Sequence, residues 1–349
     1  DDGLRHSSTS RGLGDVYKRQ SLTGRKEVFM GRAKFGVFGD GKELPQIAMS
    51  KFFRNGDFRS GYYRDQTFMM AIDQLNANQF FAQLYAHTDI KKDPHSGGRQ
   101  MNCHFGTRLL NENGDWKTQT DMMNSVSDIS CVSGQMPRIV GLAYASKLYR
   151  NNKNLSDMEN FSINGNEVVF GTIGDASTSE GHFWEAINAC GVLQVPLIMS
   201  IWDDGYGISV PSEYHTTRND LTKALSGFQR SSKKENGYEI FTVHAWDYIN
   251  LLKTYQKAEK LAREDHVPCI IHVKDVTQPQ GHTTSGSHER YKSKERLNWE
   301  KDFCCIKRMR EWIIENNFAS NSEIDIIEKN AEEIAKKSRD RSWKSYRDD

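Results

Sequence analysis

No run of 18 consecutive apolar residues occurs in this 349-residue chain, so no ordinary membrane-spanning helix is expected. The N-terminus lacks the apolar core of a signal peptide, and together these absences point to a soluble, unexported, cytoplasmic protein. Six cysteines (103, 131, 190, 269, 304 and 305) form no CxxC pair, and Cys304 and Cys305 are poor disulfide partners for each other, so reduced thiols are expected. Excess charge is lacking too. Lys plus Arg number 47 and Asp plus Glu 46, leaving no general field that favours nucleic acid or an anionic membrane. No repeat of 20 to 50 residues appears. With 37% hydrophobic content the chain can bury a sizeable core, and a compact ligand met in a local site is the expectation.

The ends differ from the middle. Residues 1–20 (DDGLRHSSTSRGLGDVYKRQ) are polar and aperiodic, and 341–349 close the chain with charge, so both are expected to be disordered or foreign tails around a domain spanning 21–340. Within that domain the pattern alternates. NEVVFGTI (166–173) and VPLIMSIW (195–202) are apolar runs separated by helical spacing over 180–193; 239–243 precedes a helical stretch over 247–264, which leads into CIIHVK (269–274). Residues 135–150 read as a helix with small residues on one side, and 300–338 as two amphipathic helices. Alternating strands and helices predict an α/β fold, a doubly wound, mainly parallel sheet with helices on both faces.

Ligands of such sheets bind beyond the carboxyl ends of the strands. Two acidic clusters fall there: Gly174–Asp175 ends one run and Asp203–Asp204–Gly205 the next. Asp and Gly dominate ordinary turns, so one such loop is as readily a solvated turn as a site; two neighbouring strands ending alike point to chemistry. A hard dication such as magnesium takes one or two carboxylates and fills its shell with phosphate, water or carbonyl oxygen, and a helix starting near Ser179 would turn its free amides to a diphosphate.

Asp175 in GDA, followed by Asp204 in DDGYGIS, resembles the thiamine-diphosphate fingerprint, which begins GDG and ends in a pair of Asn. YYRDQ (62–66), GGRQMNCHFG (97–106), SGQMPRIVGLAYASK (133–147) and QGHTTSGS (280–287) follow the order of the alpha subunit of the decarboxylating component of 2-oxoacid dehydrogenase complexes. GRQM and SEG resemble the branched-chain branch more than the pyruvate branch. The resemblance spans 24–340 and implies the thiamine-diphosphate-binding fold, with decarboxylation of a small 2-oxo acid, a branched-chain one or pyruvate, and transfer of the acyl group to a lipoyl-bearing acyltransferase. It further implies that Asp175, Asp204 and the Tyr206 carbonyl hold magnesium, that Tyr63 and Arg64 bind the diphosphate beside Gly174 and Ala176, and that Ser130 and Val132 meet the aminopyrimidine through backbone groups. His282 matches the family histidine near the reacting carbon, and His104 belongs to the substrate side.

Three features depart from the family pattern. Asp203 and Asp204 replace its Asn pair, predicting a site with more negative charge; Ala176 replaces the third Gly of GDG; and Gln278 stands where the family places an Arg four residues before the loop histidine. The last change removes a bidentate phosphate partner, which Gln278→Arg would restore. The glutamate that activates the cofactor comes, in the family, from a beta subunit or beta half, so an alpha–beta heterotetramer and a chain cut from a longer fusion are expected. Two other readings are an acetoin dehydrogenase or transketolase-like enzyme and a degenerate, non-catalytic scaffold.

Overall fold

β-branched and apolar strings bounded by turn formers become the centre of the sheet. In the computed structural model, which describes residues 2–349 and side chains from residue 12 onward, the elements run α1 (Asp2–Phe29), α2 (Glu43–Ser50), β1 (Phe58–Ser60), α3 (Gln66–Ala71), α4 (Ala77–Leu84), β2 (Asn124–Ser125), α5 (Met136–Asn151), β3 (Val169–Gly174), α6 (Gly181–Leu193), β4 (Leu197–Trp202), the small antiparallel pair β5 (Tyr206–Gly207) and β6 (Val210–Pro211), α7 (Leu221–Ala224), β7 (Glu239–His244), α8 (Tyr248–Asp265), β8 (Cys269–Lys274), α9 (Lys294–Asp302), α10 (Cys305–Glu315) and α11 (Asn321–Asp348). The main sheet has strand order β2-β1-β3-β4-β8-β7, and every pairing in it is parallel.

Strand alternation sorts the core into two layers. Val169 and Ile173 of β3, with Leu197, Met199 and Ile201 of β4, pack with α5 and α6. Phe170, Ile198 and Trp202 point the other way, into a larger cluster with α2, α3, α8 and α10. Helices therefore cover both faces, and β4, buried at every residue, is the spine.

The two predicted tails are structured where the structure describes them. Residues 12–20 continue α1, with Asp15, Tyr17 and Gln20 buried, and residues 341–348 continue α11, where Trp343 stacks edge-on against Tyr85. Leu13, Val16 and Tyr17 supply a short apolar stripe at helical spacing that the surrounding polar residues mask, and Trp343 and Tyr346 do the same at the other end. The tail expectation for residues 1–11 falls on residue 1 and on side chains outside the described residues. Among the described residues no helix is long and apolar enough to cross a membrane.

Candidate functional site

β3 and β4 are adjacent and in register, Gly174 beside Trp202, so the loops that follow them leave the sheet side by side. Asp175 N–H donates to the Trp202 carbonyl at 3.1 Å and Gly205 N–H to the Asp175 carboxylate at 3.1 Å, binding one loop to the other. After Asp175 the chain makes a 3₁₀ turn, Ala176–Ser179, before α6 begins. Ala176 keeps an ordinary backbone angle, so the loss of the fingerprint's third glycine costs nothing in conformation.

These loops line a cavity of about 210 Å³ together with Tyr62, Tyr63, Arg64, Val132 and His282. Gly174, Asp175, Ala176, Asp204 and Tyr206, all singled out from sequence, face it, and Ser177, Gly207 and Ile208 complete the wall. Ser130 stands outside that lining: it is exposed, and its hydroxyl meets His104 Nε2 at 3.0 Å. His104 in turn stacks on Tyr63 with ring centroids 6.1 Å apart. Arg64 is fixed by its backbone partners, donating to the Phe38 carbonyl at 2.8 Å and the His282 carbonyl at 2.7 Å.

Asp175 and Asp204 line the cavity and Asp203 precedes the second of them in the chain, but the three carboxylates do not act alike. Asp203 turns aside, accepting from Gly205 N–H at 3.0 Å and lying 2.8 Å from His272 Nε2. Asp204 Oδ1 accepts from Tyr206 N–H at 3.2 Å, while Oδ2 lies 3.5 Å from His282 Nε2 and 3.6 Å from Lys42 Nζ. Burial, then the charges of Asp204 and Asp203, push the Asp175 carboxyl well above its ordinary range. Burial acts on Asp204 in the same direction, but His282, Lys42, Lys292 and Arg64 outweigh it and hold that carboxyl below its ordinary value. Burial also lowers His282 to about 4, and burial lowers Lys42 as well, with the charge of Asp204 pulling that amine back up.

Two sequence expectations change here. The doubled Asp does not stand without neighbours: His272 Nε2 lies against Asp203 and Lys42 Nζ faces Asp204. Gln278 does not border the cavity: it is fully buried, its Oε1 accepts from Lys42 Nζ at 2.6 Å, and its amide donates to the Phe38 and Gly281 carbonyls at 3.2 and 3.1 Å. An arginine there would meet Lys42 before any phosphate. Sequence reasoning missed Lys42 and also His215, whose Nε2 is buried without a partner 4.0 Å from Asp175 Oδ2.

The residues present fit a magnesium–diphosphate group. Asp175 carries unrelieved repulsion that a dication would remove, His282 Nδ1 is buried without a partner, and Arg64 and Tyr63 add polar groups to the same wall. Among the described residues no group of three or more His, Cys, Asp or Glu side chains is placed to hold a metal alone. An ion here would draw its remaining oxygens from a carbonyl and from the diphosphate itself, as magnesium commonly does.

A family model described as "Dehydrogenase E1 component" matches residues 25–345. The chain is 25% identical over 287 residues to the human mitochondrial 2-oxoisovalerate dehydrogenase subunit alpha, covering 81% of this chain and 55% of that protein. It is 26% identical over 264 residues to the 2-oxoisovalerate dehydrogenase subunit alpha of Bacillus subtilis, covering 74% and 68%. To the pyruvate dehydrogenase E1 component subunit alpha of Rickettsia bellii it is 28% identical over 206 residues, covering 59% and 56%. The chain thus spans about half the length of the first of these relatives.

Proposed function

Because this chain belongs to the dehydrogenase E1 component family, we propose that it is the alpha part of a 2-oxoacid dehydrogenase that decarboxylates a 2-oxo acid, branched-chain or pyruvate, on thiamine diphosphate and magnesium. The observation that carries this reading is the pairing of Asp175 and Asp204 at the ends of adjacent parallel strands, facing one cavity with Arg64 and His282. When bound, thiamine diphosphate supplies the carbon nucleophile and the electron sink for the departing carbon dioxide.

This chain's residues divide the remaining work. Asp175, Asp204 and the Tyr206 carbonyl hold the magnesium, and Tyr63 and Arg64, with the backbone at Gly174 and Ala176, hold the diphosphate. Val132, on the cavity wall, and Ser130, outside that lining, meet the aminopyrimidine through backbone groups. Neutral at pH 7, His282 can donate or accept a hydrogen bond at the substrate, and its unpartnered Nδ1 leaves one ring nitrogen free to do so. A partner beta chain supplies the activating glutamate, and a lipoyl-bearing acyltransferase takes the acyl group.

Calorimetric titration with thiamine diphosphate, with and without magnesium and in the presence of a beta chain, tests the reading. Magnesium-dependent binding with one site per chain is expected; absence of binding would overturn it.

A further inference from the structure

Lys42 has no part in binding the diphosphate or the metal, yet it is among the most deeply buried ionisable side chains of the described residues. It is 1% exposed, and it is reached through a backbone passage that only glycine permits: Gly41 sits at φ +91°, and a Cβ there would fall 1.9 Å from the Thr277 carbonyl oxygen. This close approach brings the start of α2 against the loop that carries Gln278 and His282. There Lys42 Nζ donates to Gln278 Oε1 at 2.6 Å and stands 3.6 Å from Asp204 Oδ2. Gln278 in turn reaches Asp40 Oδ1 at 3.4 Å and the Phe38 and Gly281 carbonyls, so the lysine is seated in a fixed cradle. Lys42 is not part of the cavity wall; it lies behind Asp204.

We propose that Lys42 is the internal counter-cation of Asp204, a positioning residue that lets a buried carboxylate present oxygen to the magnesium without adding net negative charge beside the diphosphate. The physical need is plain. Two carboxylates on one small cavity repel each other and repel an anionic ligand, and a buried charge without a partner is costly. Asp203 is answered by His272 and Gly205 N–H, and Asp175 by Gly205 N–H. The amine facing Asp204 Oδ2 is Lys42, held 3.6 Å away by its bond to Gln278 Oε1, and the Asp204 charge opposes the effect of burial on that amine. Removing Lys42 therefore leaves the site one unit too negative, whereas removing it together with the Asp204 charge leaves the balance unchanged.

The proposal rests on the reading of Asp204 as a magnesium ligand, and a double-mutant cycle tests it on the full chain. Lys42→Met, Asp204→Asn and the combined variant are titrated calorimetrically with thiamine diphosphate plus magnesium, and their ligand-free melting temperatures are measured. Lys42→Met should weaken binding at least tenfold, and adding Asp204→Asn to it should bring the affinity back to within threefold of the parent. In the ligand-free protein Asp204→Asn should lower the melting temperature when Lys42 is present, by stranding the ammonium, and raise it when Lys42 is absent. If Asp204→Asn has the same effect in both backgrounds, Lys42 is a packing residue and the proposal fails. Should Lys42→Met not fold, Lys42→Gln replaces it in the same cycle, and failure of the Lys42→Gln/Asp204→Asn pair to recover folding or affinity also overturns the proposal. Asp175→Ala is run alongside: unchanged binding in that variant would remove the metal reading itself, while lost binding with no coupling between positions 42 and 204 would remove this inference alone.

Discussion

Gly205 N–H donates to the Asp175 carboxylate at 3.1 Å, so the loop after β4 holds the acidic residue that ends β3. Gly205 achieves this with φ +77°, a conformation that side-chain-bearing residues adopt only at a cost. Gly205→Ala should therefore destabilise the protein by about 1–2 kcal/mol and weaken cofactor binding together, because the same turn carries the strain and aims the carboxylate. Denaturant midpoints and calorimetry on the variant check both halves. Loss of affinity without loss of stability would mean that the turn shifts rather than strains.

Asp175→Ala should separate binding from folding. The carboxyl is pushed up by burial and by Asp204 and Asp203, so deleting it removes repulsion from the ligand-free protein. The expected outcome is a melting temperature equal to or above the parent's, with affinity for thiamine diphosphate and magnesium reduced tenfold or more, about 1.4 kcal/mol. A variant that melts much lower would show that Asp175 has a structural duty through its bond to Gly205.

The central strands and the acidic loops were legible because they are local: short apolar, β-branched runs that stop at Gly and Asp. β1 and β2 were not, since Arg59, Ser60, Asn124 and Ser125 are polar and become strands only by pairing with distant segments. The YYRDQ string divides in the structure. Tyr63 and Arg64 reach the cavity, whereas Asp65 is a core acceptor for Arg59 at 2.9 Å and for the Thr172 hydroxyl. Lys42 escaped notice for a related reason: in GDGKE it reads as a surface turn, and its partners at 204 and 278 are far away in sequence.

Gln278→Arg inverts between sequence and structure. From sequence the arginine would regain a phosphate contact; in the structure position 278 is fully buried against Lys42, 2.6 Å from its ammonium. The expected result is a loss of stability of about 3 kcal/mol or more, from two buried cations in one cradle, with no gain in cofactor affinity. Tighter binding in that variant would mean that the side chain escapes toward the cavity.

His266 gives the fold an acid limit. It caps α8 with φ 52°, and its Nε2 lies 2.9 Å from the Gly165 carbonyl; burial lowers its pKa to about 4. An unfolded histidine titrates near 6.5, so between those values the unfolded chain binds the extra proton. The stability that goes with the neutral ring is complete above about pH 6.5 and is lost as pH falls toward 4. His266→Asn, which tolerates the left-handed backbone, should show a smaller drop in denaturant midpoint between pH 7 and pH 4.5 than the parent. An identical drop would place the acid sensitivity in the other buried histidines.

His282 can be tested without disturbing the diphosphate end, because Arg64 bonds to its backbone carbonyl rather than to its ring. His282→Ala keeps that 2.7 Å contact and leaves Asp204 with Lys42, so cofactor affinity should stay within a few fold of the parent. The ring is what is lost. Paired with a beta chain and an artificial electron acceptor, the variant should lose most of its decarboxylation of branched-chain 2-oxo acids or pyruvate, a hundredfold fall being usual when a positioned acid–base group is removed. On the proposed function, which draws the activating glutamate from a beta chain, the parent chain alone should be inactive in the same assay. Full activity in the assembled His282→Ala variant would leave the histidine as a loop anchor acting through its carbonyl alone, and turnover by the isolated parent chain would remove the division of labour between the two halves.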